Sequence, residues 1–139
     1  MIRAVLDTNV LVSALMNAEG TPASVLKQGL LRKFRWYVSP AILAEYNEVL
    51  ARARLQLNQH QVRELLRVLR RRTVLVNPRR KVQIAIDPDD DKFIECALAA
   101  RADFIVTGNA GHFPRRYQDI QIVSPRKFIE FLASAPEAV

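Results

Sequence analysis

The sequence predicts an α/β protein: a parallel sheet with helices on both faces. Three observations predict it. Short apolar runs of strand length alternate with segments of helical period along the whole chain. Hydroxyl residues followed by proline, as in Thr21-Pro22, Ser39-Pro40 and Ser124-Pro125, mark helix starts. Several of the apolar runs stop at a polar residue, and in a parallel sheet such carboxyl ends line the ligand-binding edge. With 139 residues, half of them hydrophobic, the expectation is one domain over residues 1–135 with a frayed tail at 136–139.

Residues 2–6 read as a buried first strand. Residues 8–16 then read as a helix, with Thr8 or Asn9 as its cap. A second helix is capped by Thr21 and runs to about Lys33. Trp36-Tyr37-Val38 is a short strand ending at Ser39, and Pro40 opens a helix that extends to about Arg54. Asn58 starts the next helix, whose Val62, Leu65, Leu66 and Leu69 share one face. Residues 73–76 form a short strand, Asn77-Pro78 is a turn, and residues 82–86 read as extended. Asp87-Pro88 breaks the pattern before a helix over residues 89–102. Phe104-Ile105-Val106 is a buried strand closed by Thr107-Gly108-Asn109. Residues 120–123 form the last strand, giving a sheet of about five, and Ser124 caps a final helix that fades by Ser134.

Composition excludes several classes. No apolar run approaches the roughly 20 residues of a membrane span, and the first residues lack the pattern of a secretion signal. Cys96 is the only cysteine, which rules out an intramolecular disulfide or a multi-cysteine zinc site and fits a reducing, cytoplasmic setting. The formal charge of +7 favours a polyanionic or acidic partner.

Polar residues at four expected strand ends fall on one sheet edge: Asp7 with Thr8 and Asn9; Ser39; Asp87; and Thr107 with Asn109. Glu45, early in its helix, and Asp91, in the first turn of another, reach the same edge. Three carboxylates there would make a site for a hard divalent cation, which prefers oxygen ligands. Asn9, Thr107 and Asn109 would orient carboxylates or waters. Each acid also has a plainer reading. Asp7 could bond the amides of the following helix. Glu45 could lie on a solvated stripe where Glu48 and Arg52 pair at i,i+4. The run Asp89-Asp90-Asp91 could serve as helix caps.

These blocks, in this order, resemble the PIN-domain family. The resemblance rests on Asp7-Thr8-Asn9-Val10-Leu11, on Ser39 followed by Glu45, on residues 87–97 (Asp-Pro-Asp-Asp-Asp-Lys-Phe-Ile-Glu-Cys-Ala), and on residues 102–109 ending in Thr107-Gly108-Asn109. Within the family the chain is most similar to VapC-like toxin ribonucleases of toxin–antitoxin pairs. The resemblance implies a three-layer α/β/α sandwich and Mg²⁺- or Mn²⁺-dependent ribonuclease activity. It implies RNA as substrate, a cognate antitoxin as partner, and a homodimer. It assigns Asp7, Glu45 and Asp91 as metal-site acids, with Thr8, Asn9, Thr107 and Asn109 in support. One departure stands out: many family members carry a fourth acid after the strand that ends at Thr107, and here Asn109-Ala110-Gly111-His112-Phe113 contains none. One well-bound cation is therefore expected, with the second weakened. His112 is expected in loop packing or solvent.

RNA must also be held. Arg67, Arg70, Arg71, Arg72, Arg79, Arg80 and Lys81 fall in a 15-residue stretch without an acid, and Arg115 and Arg116 follow the loop beside the proposed site. Such clusters attract phosphate; they also suit a solvated helix end, or an acidic antitoxin segment. Trp36, Tyr37 and Tyr46 read as core or interface residues. Two rivals remain: an RNA-binding scaffold of this family with weak or no catalysis, and a phosphotransferase with Asp7 as nucleophile. Against the latter, the second acid such enzymes carry two residues on is Asn9 here.

Overall fold

In the computed structural model, which describes residues 1–135, six strands form one sheet in the order β3-β2-β1-β4-β6-β5. The strands are β1 (Arg3–Leu6), β2 (Arg35–Val38), β3 (Thr73–Leu75), β4 (Phe104–Val106), β5 (Arg116–Tyr117) and β6 (Ile120–Val123). The first four and β6 pair in parallel; β5 pairs antiparallel with β6 at the edge. The expected five strands are thus present, and the sixth is a two-residue hairpin arm too short to carry a pattern. The expected tail at 136–139 lies outside the described residues.

The helices are α1 (Thr8–Met16), α2 (Thr21–Leu30), α3 (Pro40–Leu50), α4 (Gln59–Arg72), α5 (Asp91–Ala100) and α6 (Pro125–Ser134). Caps set their starts. Ser39, Asn58 and Ser124 each accept the amide three residues on, from Ile42, Gln61 and Lys127. Gly20 rather than Thr21 precedes α2. Asp7, rather than Thr8 or Asn9, occupies the cap position of α1, and its carboxylate makes no capping bond. The helix expected to reach Arg54 stops at Leu50, followed by a 3₁₀ turn at Ala53–Leu55.

From β1 to β2 to β3 the chain steps one way across the sheet; from β3 to β4 it returns past β1 to the other side. Right-handed crossovers place connections of opposite direction on opposite faces. Accordingly α6 packs on α2, whereas α5 lies against β1, β2 and β4. The core between them centres on Trp36, Tyr46, Phe34, Phe93 and Phe128, and Phe34 meets Phe128 edge to face at 4.9 Å between centroids. Strand order reverses between β1 and β4, and a crevice opens outside the carboxyl ends at such a switch point. Asp7 and Thr107 are the residues that follow those two strands.

Residues 82–86, expected to be extended, join no strand. They belong to a strap that crosses from β3 to α5 and is fastened by side chains of α5. Glu95 accepts the Val82 amide at 3.1 Å. Asp91 Oδ1 accepts the amides of Ile84 and Ala85 at 3.0 and 2.7 Å. Asp87 therefore follows no strand; its carboxylate accepts the Asp89 amide and starts a 3₁₀ turn, Pro88–Asp90.

Candidate functional site

Asp7 leaves the buried end of β1 with only 7% of its surface exposed. The Thr107 hydroxyl, at the end of β4, donates to Asp7 Oδ2 at 2.7 Å. Thr107 in turn accepts from the Asn109 amide at 3.0 Å and from Asn9 Nδ2 at 3.4 Å, while Asn9 Oδ1 accepts the Gly108 amide at 3.0 Å. The network ties the ends of two adjacent strands together and fixes the Asp7 carboxylate toward the crevice. Burial pushes the Asp7 carboxyl above its usual range; the Thr107 bond opposes this and the neighbouring Glu45 charge adds to it.

Glu45 comes from the second turn of α3. Its two oxygens are occupied: the Thr8 hydroxyl donates to Oε2, and Lys92 Nζ donates to Oε1 at 2.7 Å. Glu45 is thus no part of a solvated stripe; Glu48 alone plays that part, paired with Arg52 at 2.8 Å on the surface. Lys92 also reaches Asp89 Oδ1 at 3.0 Å. Burial disfavours its charge, but the bonds to Glu45 and Asp89 prevail and raise its pKa, and the same lysine holds the Asp89 carboxyl low.

The third expected acid, Asp91, also has a structural task. Asp91 is buried, 6% exposed, and its Oδ1 is committed to the strap amides of Ile84 and Ala85. Asp90, one residue earlier, is half-buried at the end of the 3₁₀ turn. Its carboxyl is pushed up to about 6, by burial first and then by the charges of Asp7, Asp87, Glu45 and Asp89. Asp90 and Lys92 are two charged residues near these acids that sequence reasoning passed over. The Asp-rich run concealed the first. For the second, the i,i+3 spacing from Asp89 was the available signal.

The donor chemistry fits a hard divalent cation: the neighbouring charges that help raise the Asp7 and Asp90 carboxyls in a partly buried crevice are relieved when a cation enters. The set is not closed around one point, however. Among the described residues no three His, Cys, Asp or Glu side chains stand in ligating arrangement. Lys92 holds one Glu45 oxygen in the meantime.

The chain matches the family model for the PIN domain over residues 3–111. This chain belongs to the PIN-domain family. A relative in Methanocaldococcus jannaschii, the uncharacterized protein MJ1680, is 30% identical over 141 aligned residues, covering 93% of this chain and 90% of the relative. Among solved structures, VapBC2 from Rickettsia felis, bound to a DNA fragment from its promoter, superposes with a TM-score of 0.61 over 88% of this chain and 98% of that one. At 16% identity this likeness concerns the fold. The PIN-domain match takes in Asp7, Asn9, Glu45, Asp90, Asp91, Lys92, Thr107 and Asn109.

The expected RNA-contact residues of this PIN domain fall in different places. Arg71 and Arg72 end α4 and lead into the first residue of β3, so they lie at the sheet edge away from the site; Arg72 there lines a cavity of about 340 Å³ with Arg32 and Arg35. Arg79 and Arg80 line a cavity of about 420 Å³ beside Glu95 and Leu98 on the outer side of α5. Lys81 shares a cavity of about 570 Å³ with Asp89, Asp91 and Lys92. Arg115 and Arg116 are exposed on the β5 side, where the Arg115 carbonyl accepts the Ile122 amide at 3.0 Å. His112 is exposed in a 3₁₀ turn, and its carbonyl accepts the Ile86 amide at 3.1 Å, a loop-packing role. No helix among the described residues is long and apolar enough to cross a membrane.

Proposed function

We propose that this PIN domain is a ribonuclease that hydrolyses RNA phosphodiester bonds with Mg²⁺ or Mn²⁺. The observation that carries the reading is Asp7. It is buried at the switch point, held by Thr107 instead of capping α1, and faces the charges of Glu45 and Asp90. Asp7, Glu45 and Asp90 would hold the cation through carboxylate oxygens. A bound divalent cation supplies a lowered pKa for an attacking water and neutralises charge on the phosphate. Thr107 and Asn9 keep the Asp7 carboxylate aimed into the crevice. A carboxylate oxygen not used as a ligand would take the proton from the water. The stretch from Asn109 to Phe113, where many family members carry an acid and this chain has none, makes one well-held cation the reading for this chain. Asp91 serves by fixing the strap that presents Asp90.

The motif order, on a fold shared with VapBC2, supports a toxin with a cognate antitoxin partner; the family resemblance adds a homodimeric assembly, and the single cysteine a cytoplasmic setting. A second reading, an RNA-binding scaffold with weak or no catalysis, is favoured by the absence of a closed ligand set among the described residues and by Asn109. One experiment separates them. Labelled RNA is incubated with wild type, Asp7→Asn and Asp90→Asn, with and without Mn²⁺. The ribonuclease reading expects Mn²⁺-dependent cleavage by wild type, reduced at least about 100-fold in both variants. Metal-independent binding without cleavage would support the scaffold. Cleavage that survives both substitutions would sink the site.

A further inference from the structure

We infer that Lys92 is a built-in counter-cation that keeps the acidic crevice intact without metal and competes with the divalent cation for Glu45. This rests on the metal-site reading above and adds a determinant of how tightly the metal is held. The geometry carries it. Lys92 Nζ lies 2.7 Å from Glu45 Oε1 and 3.0 Å from Asp89 Oδ1, with its side chain only 17% exposed and that of Glu45 only 14%. Neither group is the solvated partner of an ordinary surface pair, whose worth is small. The pair spans α3 and α5, where like charges would otherwise meet: Glu45 on one side, and on the other Asp91 at the start of α5 with Asp89 and Asp90 in the 3₁₀ turn before it.

The second Glu45 oxygen is held by the Thr8 hydroxyl, so an arriving cation must displace Lys92 or share Glu45 with it. Asp89 gives the displaced ammonium a place to go. It is an exposed carboxylate already 3.0 Å from the same ammonium, next to Asp90 in the 3₁₀ turn. The exchange needs only a rotation of the lysine side chain. Two positive charges cannot sit within a few ångströms of each other at low cost, so occupancy of the crevice by metal and by Lys92 should be mutually exclusive.

The test uses Lys92→Met and Lys92→Arg in the full chain, with Mn²⁺ alone as probe. Mn²⁺ affinity is read by calorimetry and thermal unfolding is followed with and without Mn²⁺. A counter-cation role expects Lys92→Met to melt lower than wild type without metal and to bind Mn²⁺ roughly tenfold more tightly, since a competing charge is gone. Lys92→Arg should stay near wild type in both. A purely structural lysine would lower metal affinity or leave it unchanged when removed, and either result would overturn the inference. Should Lys92→Met not fold, Lys92→Gln carries the same test with a polar side chain of similar reach. Absence of Mn²⁺ binding by wild type would instead remove the metal-site reading itself.

Discussion

Asp90 and Asp91 are neighbours in sequence with opposed partners. The family resemblance points to Asp91, because it opens the Asp-x-x-Ile-x-x-Ala pattern. Three successive aspartates, however, give no local signal of where a 3₁₀ turn hands over to an α-helix. Asp91→Ala should therefore act on stability: two strap amides lose their acceptor, a loss of about 1–3 kcal/mol measurable by urea denaturation. Asp90→Asn should leave stability nearly intact or raise it, because a repelled charge is removed, and should abolish Mn²⁺ binding by calorimetry. Equal loss of binding in Asp91→Asn, whose side-chain carbonyl can still accept those amides, would return the ligand role to Asp91. Asp90 also sets a pH dependence. Its carboxyl is raised from 3.8 to about 6 on folding, so the native state holds this proton more tightly than the unfolded chain. The stability it contributes is present below about pH 4 and is lost as pH rises through about 6. In the metal-free protein this group therefore favours folding at acid pH, and Mn²⁺ should stabilise above pH 6 and lose its effect below. A pH series of melting temperatures with and without Mn²⁺ checks both signs.

Among the elements, those with their own signal were legible and the strap was not. Ser39, Asn58 and Ser124 carry cap chemistry that can be read directly, and each caps its helix. Asp7, Glu45 and Thr107 reached one edge because parallel topology requires it. Residues 76–90 have neither period, and their course is fixed by side chains far away in sequence, Asp91 and Glu95 among them; no local rule reveals that. Likewise β5 is a strand only because Ile120 and Gln121 lie beside it. Packing between elements gives a sharper prediction at Gly29, inside α2. A β-carbon there would lie 3.0 Å from both Phe34 Cζ and Trp36 Cε3, and both rings are buried in the core with no free direction to move. Alanine gains about 1 kcal/mol in helix propensity, but overpacking costs about 1–3 kcal/mol. The balance favours destabilisation, with a lower midpoint in urea at an unchanged slope. A rise in midpoint would mean that the α2–β2 interface is looser than its geometry indicates.

At the scale of the whole molecule, charge and topology decide how RNA would lie. The net charge of +7 is spread over both sheet edges, and only part of it stands near the crevice. Arg71 and Arg72 run into the amino end of β3, whereas the acids gather at the carboxyl ends of β1 and β4. A strand of RNA whose phosphate sits at Asp7 and Asp90 should run past Lys81 on one side and Arg115 and Arg116 on the other. Each phosphate contact in single-stranded RNA lowers the slope of log affinity against log salt by about 0.7. Removing two contacts with Arg115→Ala and Arg116→Ala should then flatten the slope by about 1.4 and weaken binding uniformly across sequences. Arg71→Ala with Arg72→Ala removes the same formal charge and should change the slope little, because those side chains are on the far edge. Binding should be measured by fluorescence anisotropy over a salt series, with Ca²⁺ at a fixed concentration in place of Mn²⁺ so that the crevice is neutralised and cleavage does not intervene. Equal flattening by both pairs would mean that RNA responds to net charge alone. A larger effect from Arg71 and Arg72 would place the strand across the opposite edge and detach RNA binding from the acidic crevice.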